Sequence, residues 1–126
     1  MITNKKDLRT ISQNIVGAAG AAVFLPIGAA VPANRKRYIY FLKLTNPAVV
    51  PQVVTLSRDG AVGASILDVI RVPGDAGPVG GIGQGMKVMG EDILAPIYIL
   101  MPGETLGARI PVAPCTVFAS YYEEVG

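Results

Sequence analysis

Arg37-Tyr38-Ile39-Tyr40-Phe41-Leu42-Lys43-Leu44 decides the fold class. Aromatic and β-branched residues fill this stretch, and such side chains pack well on a pleated, half-buried surface. The spacing predicts a strand with Tyr38, Tyr40 and Leu42 on one side and Ile39, Phe41 and Lys43 on the other. Thr45-Asn46-Pro47 closes it, and Val31-Pro32-Ala33-Asn34 reads as a turn before it.

The same grammar repeats on both sides. Ala21 to Leu25 is a first short strand, and Val53 to Ser57 is another, ended by the turn signal Arg58-Asp59-Gly60. Ser65 to Val72 puts Ile66, Asp68 and Ile70 on one side and Leu67, Val69 and Arg71 on the other; a helical turn is also compatible with it. Met86 to Met89, Ile97 to Met101, Leu106 to Val112 and Thr116 to Glu123 complete the set. Pro102-Gly103 marks a turn, while Pro111 and Pro114 imply an edge or a bend. About seven or eight short strands with regular turn signals predict an all-β chain: an antiparallel β-sandwich or jelly-roll-like barrel.

Composition agrees. The 126 residues fit one domain, and 51% are hydrophobic against 16% charged, too apolar for disorder. Fifteen glycines and ten prolines suit a turn-rich β protein better than a helical one. A net charge of +2 is no electrostatic footprint for nucleic acid, so no sequence-specific nucleic-acid binding is expected. One cysteine excludes an intramolecular disulfide, and the absence of histidine removes the commonest general base and metal ligand.

Residues 1–20 read as an N-terminal arm before a sandwich domain over 21–126. Thr3, Asn4 or Thr10 could cap a short helix with Leu8, Ile11 and Ile15 at helical spacing, and an extended arm fits equally. Lys5, Lys6 and Arg9 precede an uncharged run from Ile15 to Ala33. Pro26, Pro32, Gly17, Gly20 and Gly28 interrupt that run, and half of it is Gly or Ala, so no membrane role is expected.

No catalytic, metal or cofactor site is expected. Gly80-Gly81-Ile82-Gly83-Gln84-Gly85-Met86-Lys87 fails the dinucleotide spacing by one residue, and Met86 separates Lys87 from the glycine that a Walker loop needs beside it. The loop 73–85 is expected to order against a partner, with Gly81 and Gly83 as contacts. Arg35-Lys36-Arg37 could meet phosphates or an acidic protein surface, or simply form a solvated turn. Glu91-Asp92 and Glu123-Glu124 are adjacent on the chain, so neither pair converges on one substrate. Cys115 reads as a small buried hydrophobe. Of Tyr121 and Tyr122, one is expected inward and the other at the surface, with Tyr122 a candidate anchor.

The segment Arg37 to Leu42 running into Thr45-Asn46-Pro47, then Ala95-Pro96-Ile97-Tyr98-Ile99-Leu100, Pro102-Gly103-Glu104-Thr105-Leu106 and a closing Val117 to Glu123, resembles the small β-sandwich accessory proteins of tailed-phage particles. Capsid decoration (cement) proteins belong to that group. The resemblance covers about residues 37 to 124 and assigns no individual functional residue. It implies a non-enzymatic virion subunit on the capsid surface, self-associating as a trimer or dimer and bound to a capsid or other virion protein. Lys5, Lys6, Leu8, Arg9 and Ile11 of the arm, with Arg35 and Lys36, are the expected docking residues. Two alternatives stay open: a stand-alone carbohydrate- or surface-binding module, and a secreted filament subunit.

Overall fold

A computed structural model describes residues 8–15, 24–74, 85–90, 94–110 and 115–125. Among them there is no helix. Nine strands form: β1 (Arg9–Ile15), β2 (Leu25–Pro26), β3 (Arg35–Thr45), β4 (Gln52–Ser57), β5 (Ile66–Val72), β6 (Met86–Met89), β7 (Tyr98–Leu100), β8 (Gly107–Arg109) and β9 (Cys115–Val125). The ambiguous stretch before Val72 is therefore a strand, and residues 9–15 of the expected arm are a strand and not a helix. Lys5, Lys6, Gly81, Gly83, Glu91, Asp92, Pro111 and Pro114 lie outside the described residues.

The strands make two antiparallel sheets. The larger runs β1-β9-β3-β6, with β7 also on β3; the smaller runs β2-β8-β4-β5. The chain changes sheet at almost every connection: β1, β3, β6, β7 and β9 lie in one, β2, β4, β5 and β8 in the other. Strands β6 and β7 lie end to end along β3, pairing with Leu42–Thr45 and Arg37–Ile39 respectively, and act as one interrupted strand. Counted so, eight strands divide into two four-stranded sheets, with only the β4–β5 hairpin staying within one. This is the jelly-roll arrangement.

The core lies between the sheets. Ile39, Leu42, Leu44, Val117 and Ala119 from the larger sheet meet Val54, Leu56, Ile70, Val72 and Ala108 from the smaller, all buried. A β-bulge between Ile39 and Phe41 is what brings Ile39, Leu42 and Leu44 to the same face. Strict alternation would have split them. The extra residue re-aims everything after it, so Phe41 joins Tyr38 outside and Leu42 turns inward. A second bulge does the same on β5. Leu56 pairs with Asp68 and Ser57 with Ile66, which leaves Leu67 extra. Ile70 and Val72 face the core while Ile66 and Val69 stay exposed.

Among the described residues few polar side chains are buried, and Arg37 and Asn46 are well partnered while one Asp59 oxygen, Oδ1, has no hydrogen-bond partner. Arg37 and Glu123 oppose each other on β3 and β9 and form an ion pair at 2.7 Å, with both side chains nearly sealed. Arg37 also donates to the Ala29 carbonyl and lies over the Tyr121 ring. The Tyr98 hydroxyl donates to Asp68 at 2.8 Å, tying β7 of one sheet to β5 of the other. Burial, and then that carboxylate, push the Tyr98 hydroxyl well above its ordinary range.

Asn46 is fully buried at the end of β3. Its amide donates to the carbonyls of Val50 and Pro73 and accepts from the Ala48 N–H, so it sets the shape of the loop to β4. Asn46→Ala leaves those backbone groups without partners. It should lower stability by about 2 kcal/mol, seen as a lower urea midpoint with an unchanged slope.

Asp59 organises the turn between β4 and β5, accepting the Ala64 and Ser65 N–H groups. Desolvation works to raise its pKa. The backbone N–H groups around it outweigh that and hold the carboxyl below its ordinary value. A lowered folded pKa contributes stability above the unfolded value, and that contribution is lost as pH falls through the folded one. The stability gap between the native chain and Asp59→Asn should therefore narrow below about pH 4, measurable by thermal melts across an acid series.

Candidate interaction surface

Cross-strand partners share a face of a sheet, so the register of the larger sheet reads out its outer surface. Ile99, Tyr38 and Tyr122 form one row across β7, β3 and β9; Phe41, Ser120 and Thr10 form the next across β3, β9 and β1. Val88, Lys43, Phe118 and Ser12 form a third, then Met86, Thr45 and Thr116. Tyr40, the bulged residue, sits 6.1 Å from Tyr122 and joins the same face. Of the eight aromatic residues (five Tyr, three Phe), five are gathered here.

The aromatic rings are fixed by each other. Tyr38 and Tyr122 stack with centroids 5.0 Å apart, and Phe41 meets Phe118 edge-on at 6.0 Å. Such pairs add about 0.5–1.5 kcal/mol beyond area burial and cost little entropy to immobilise on binding. Stacking also consumes a ring face of each, and Tyr122 is buried beneath Tyr38 and Tyr40, so a partner would meet the half-buried Tyr38, Tyr40, Phe41 and Phe118. A flat sugar needs open faces, so the arrangement suits a protein surface better. Val88 (49% exposed), Ile99 (45%) and Met86 (37%) extend the apolar area on the β6/β7 side, where water currently meets them.

Several expected contacts land elsewhere. Tyr122 was expected to be the exposed member of its pair, yet both tyrosines are buried. Tyr121 points into the core, and Tyr122 points outward and is covered by Tyr38 and Tyr40. The basic cluster is not a patch, because the acidic pair Glu123-Glu124 lies opposite it. Lys36 faces Glu124, Arg37 faces Glu123, and Arg35 faces Val125. Arg35 is exposed and Lys36 half-buried. Cross-strand neutralisation of this kind weakens any pull on phosphates. Of the described arm residues, Leu8 and Arg9 are exposed, while Ile11 is half-buried on the inner face against Gly28.

Among the described residues, no group of three or more His, Cys, Asp or Glu side chains could hold a metal ion, and no helix is long and apolar enough to cross a membrane. Cys115 lies in the core, where burial pushes its thiol up to about 11, far from the thiolate a nucleophile requires.

The fold recurs in known structures. A chain of the acidic stable capsid structure of Helicobacter pylori bacteriophage KHP30 is similar at a TM-score of 0.56 and 11% identity, over 93% of this chain and 92% of that one. The likeness to phage-particle proteins thus holds at the level of fold. A chain of the infectious bursal disease virus Gt strain overlaps at a TM-score of only 0.30 and 10% identity, over 96% of this chain and 31% of that one, and carries no argument. No protein-family model and no curated protein sequence matches the chain.

Proposed function

We propose that this jelly roll is a non-enzymatic structural subunit of a virus particle: a decoration protein that sits on the capsid surface and stabilises the shell. The supporting observation is the outer face of β3 and β9, where Tyr38, Tyr40, Phe41, Phe118 and Tyr122 form a pre-ordered aromatic surface on a fold shared end to end with a chain of a phage capsid structure. Aromatic-rich, pre-organised patches are what protein interfaces concentrate. The partner is a capsid or other virion protein, and the chain needs no cofactor for this work.

A shell site repeated many times makes modest single contacts sufficient, because avidity adds them together. Ligand binding also stabilises whatever it binds. Purified shells of the phage encoding the chain should therefore take it up on co-sedimentation and release their contents at a higher temperature when decorated. Shells that pellet without the chain at saturating concentration would overturn the reading.

A further inference from the structure

A strand at the edge of a sheet presents unpaired N–H and C=O groups, and natural proteins block such edges with brevity, proline, bulges or inward charges. Three of the four edges here are blocked. β2 is two residues long and ends in Pro26. β5 carries the Leu67 bulge and sends Asp68 to Tyr98 of the opposite sheet. The β6/β7 edge is broken where the chain leaves β3 between Met89 and Tyr98. β1 has neither brevity, proline nor bulge, and its single inner-face charge, Arg9 opposite Tyr121, stands only at its end. It runs seven residues in unbroken register with β9. Among the described residues no strand pairs with its other side.

We infer that β1 is a self-association edge, where two copies of the chain pair antiparallel about a two-fold axis through Ile11 and merge their larger sheets. The sequence of β1 favours a second copy as the occupant. An axis perpendicular to the sheet preserves its faces, so Ile11 opposes Ile11, Thr10 opposes Ser12 and Arg9 opposes Gln13. Apolar meets apolar, hydroxyl meets hydroxyl, and no like charges confront each other. Parallel pairing would set Arg9 against Arg9. Ile11 is half-buried above Gly28 in one copy, so the pair would close the apolar centre of an isologous interface. Both aromatic faces then point to the same side, forming one broad surface. That consequence rests on the decoration reading; the dimer itself does not.

Light scattering on the full chain tests this, with an expected mass about twice 13.1 kDa. Ile11→Cys should cross-link between copies on mild oxidation. Opposed Cα atoms in an antiparallel pair lie about 4.5–5.5 Å apart, within disulfide reach, and Cys115 is buried. Thr10→Cys, which faces Ser12, should cross-link far less. Thr10→Lys with Ser12→Lys should give a monomer with unchanged circular dichroism. A wild-type monomer up to about 100 µM, where even a weak dimer would form, overturns the inference. So does a dimer that survives the two lysines, or equal cross-linking of the two cysteine variants. A monomer that still decorates shells rejects the dimer alone, and a dimer that ignores shells rejects the decoration reading alone.

Discussion

Glu123→Ala should be among the most damaging single substitutions in this chain, lowering unfolding stability by about 3–5 kcal/mol. The loss comes from what stays behind. Arg37 Nε and Nη2 both donate to one Glu123 oxygen, at 2.9 and 2.7 Å, with the two side chains 5% and 7% exposed. Without the carboxylate, the guanidinium is left with the Ala29 carbonyl and the Tyr121 ring and cannot shed its proton. A domain of this size has about 5–15 kcal/mol in total. The melting temperature should fall by about 10–20 °C, and urea unfolding should show the same loss. Replacing both Arg37 and Glu123 by Met should recover more than half of it, because an apolar pair leaves no orphaned charge. A single mutant within about 1 kcal/mol of the native chain would mean the pair is far more hydrated than its geometry implies.

The second large effect is on association and leaves the fold intact. Val88→Asp combined with Ile99→Asp places two carboxylates on the outer face, opposite Lys43 and Tyr38. Both sites are about half exposed in the free chain, so stability should move by no more than about 0.5 kcal/mol for each. Against a partner, the carboxylate at 99 would be buried with no cation across from it and the one at 88 with only Lys43 opposite, and desolvating them costs several kcal/mol. Shell binding should weaken at least about 100-fold while circular dichroism and melting stay native. The equivalent pair on the smaller sheet, Val53→Asp with Val69→Asp, should bind normally. These valines are exposed as well but lie on the other side of the molecule.

The contrast between what the residues disclose and what they hide is physical. Strand composition and turn chemistry are local, so Arg35–Thr45, Gln52–Ser57 and Cys115–Val125 could be read to within a residue or two. Bulges are not local in that sense. Beside the one at Tyr40, Gly90 comes from far along the chain so close to the Tyr40 carbonyl that any side chain there would collide with it. Strict alternation therefore placed Phe41 opposite Tyr38, and the aromatic face stayed invisible. The same limit hid Arg37–Glu123. Two charged clusters lie 86 residues apart in the chain, and only the β3–β9 register brings them together. A signal was present all along: a basic triplet opening one strand and an acidic pair closing another is what antiparallel partners would carry. Tyr122 was misread for a related reason. Alternation correctly sends it to the outer face, but cannot foresee that Tyr38 and Tyr40 cover it there.

Electron microscopy of purified shells mixed with the chain is the most direct test of the central claim. Ordered density is expected on the outside of the shell, with the β1-β9-β3-β6/β7 sheet turned toward it and Tyr38, Phe41, Val88 and Ile99 at the contact. Bare shells at saturating protein, or attachment through the β2-β8-β4-β5 sheet, would contradict it.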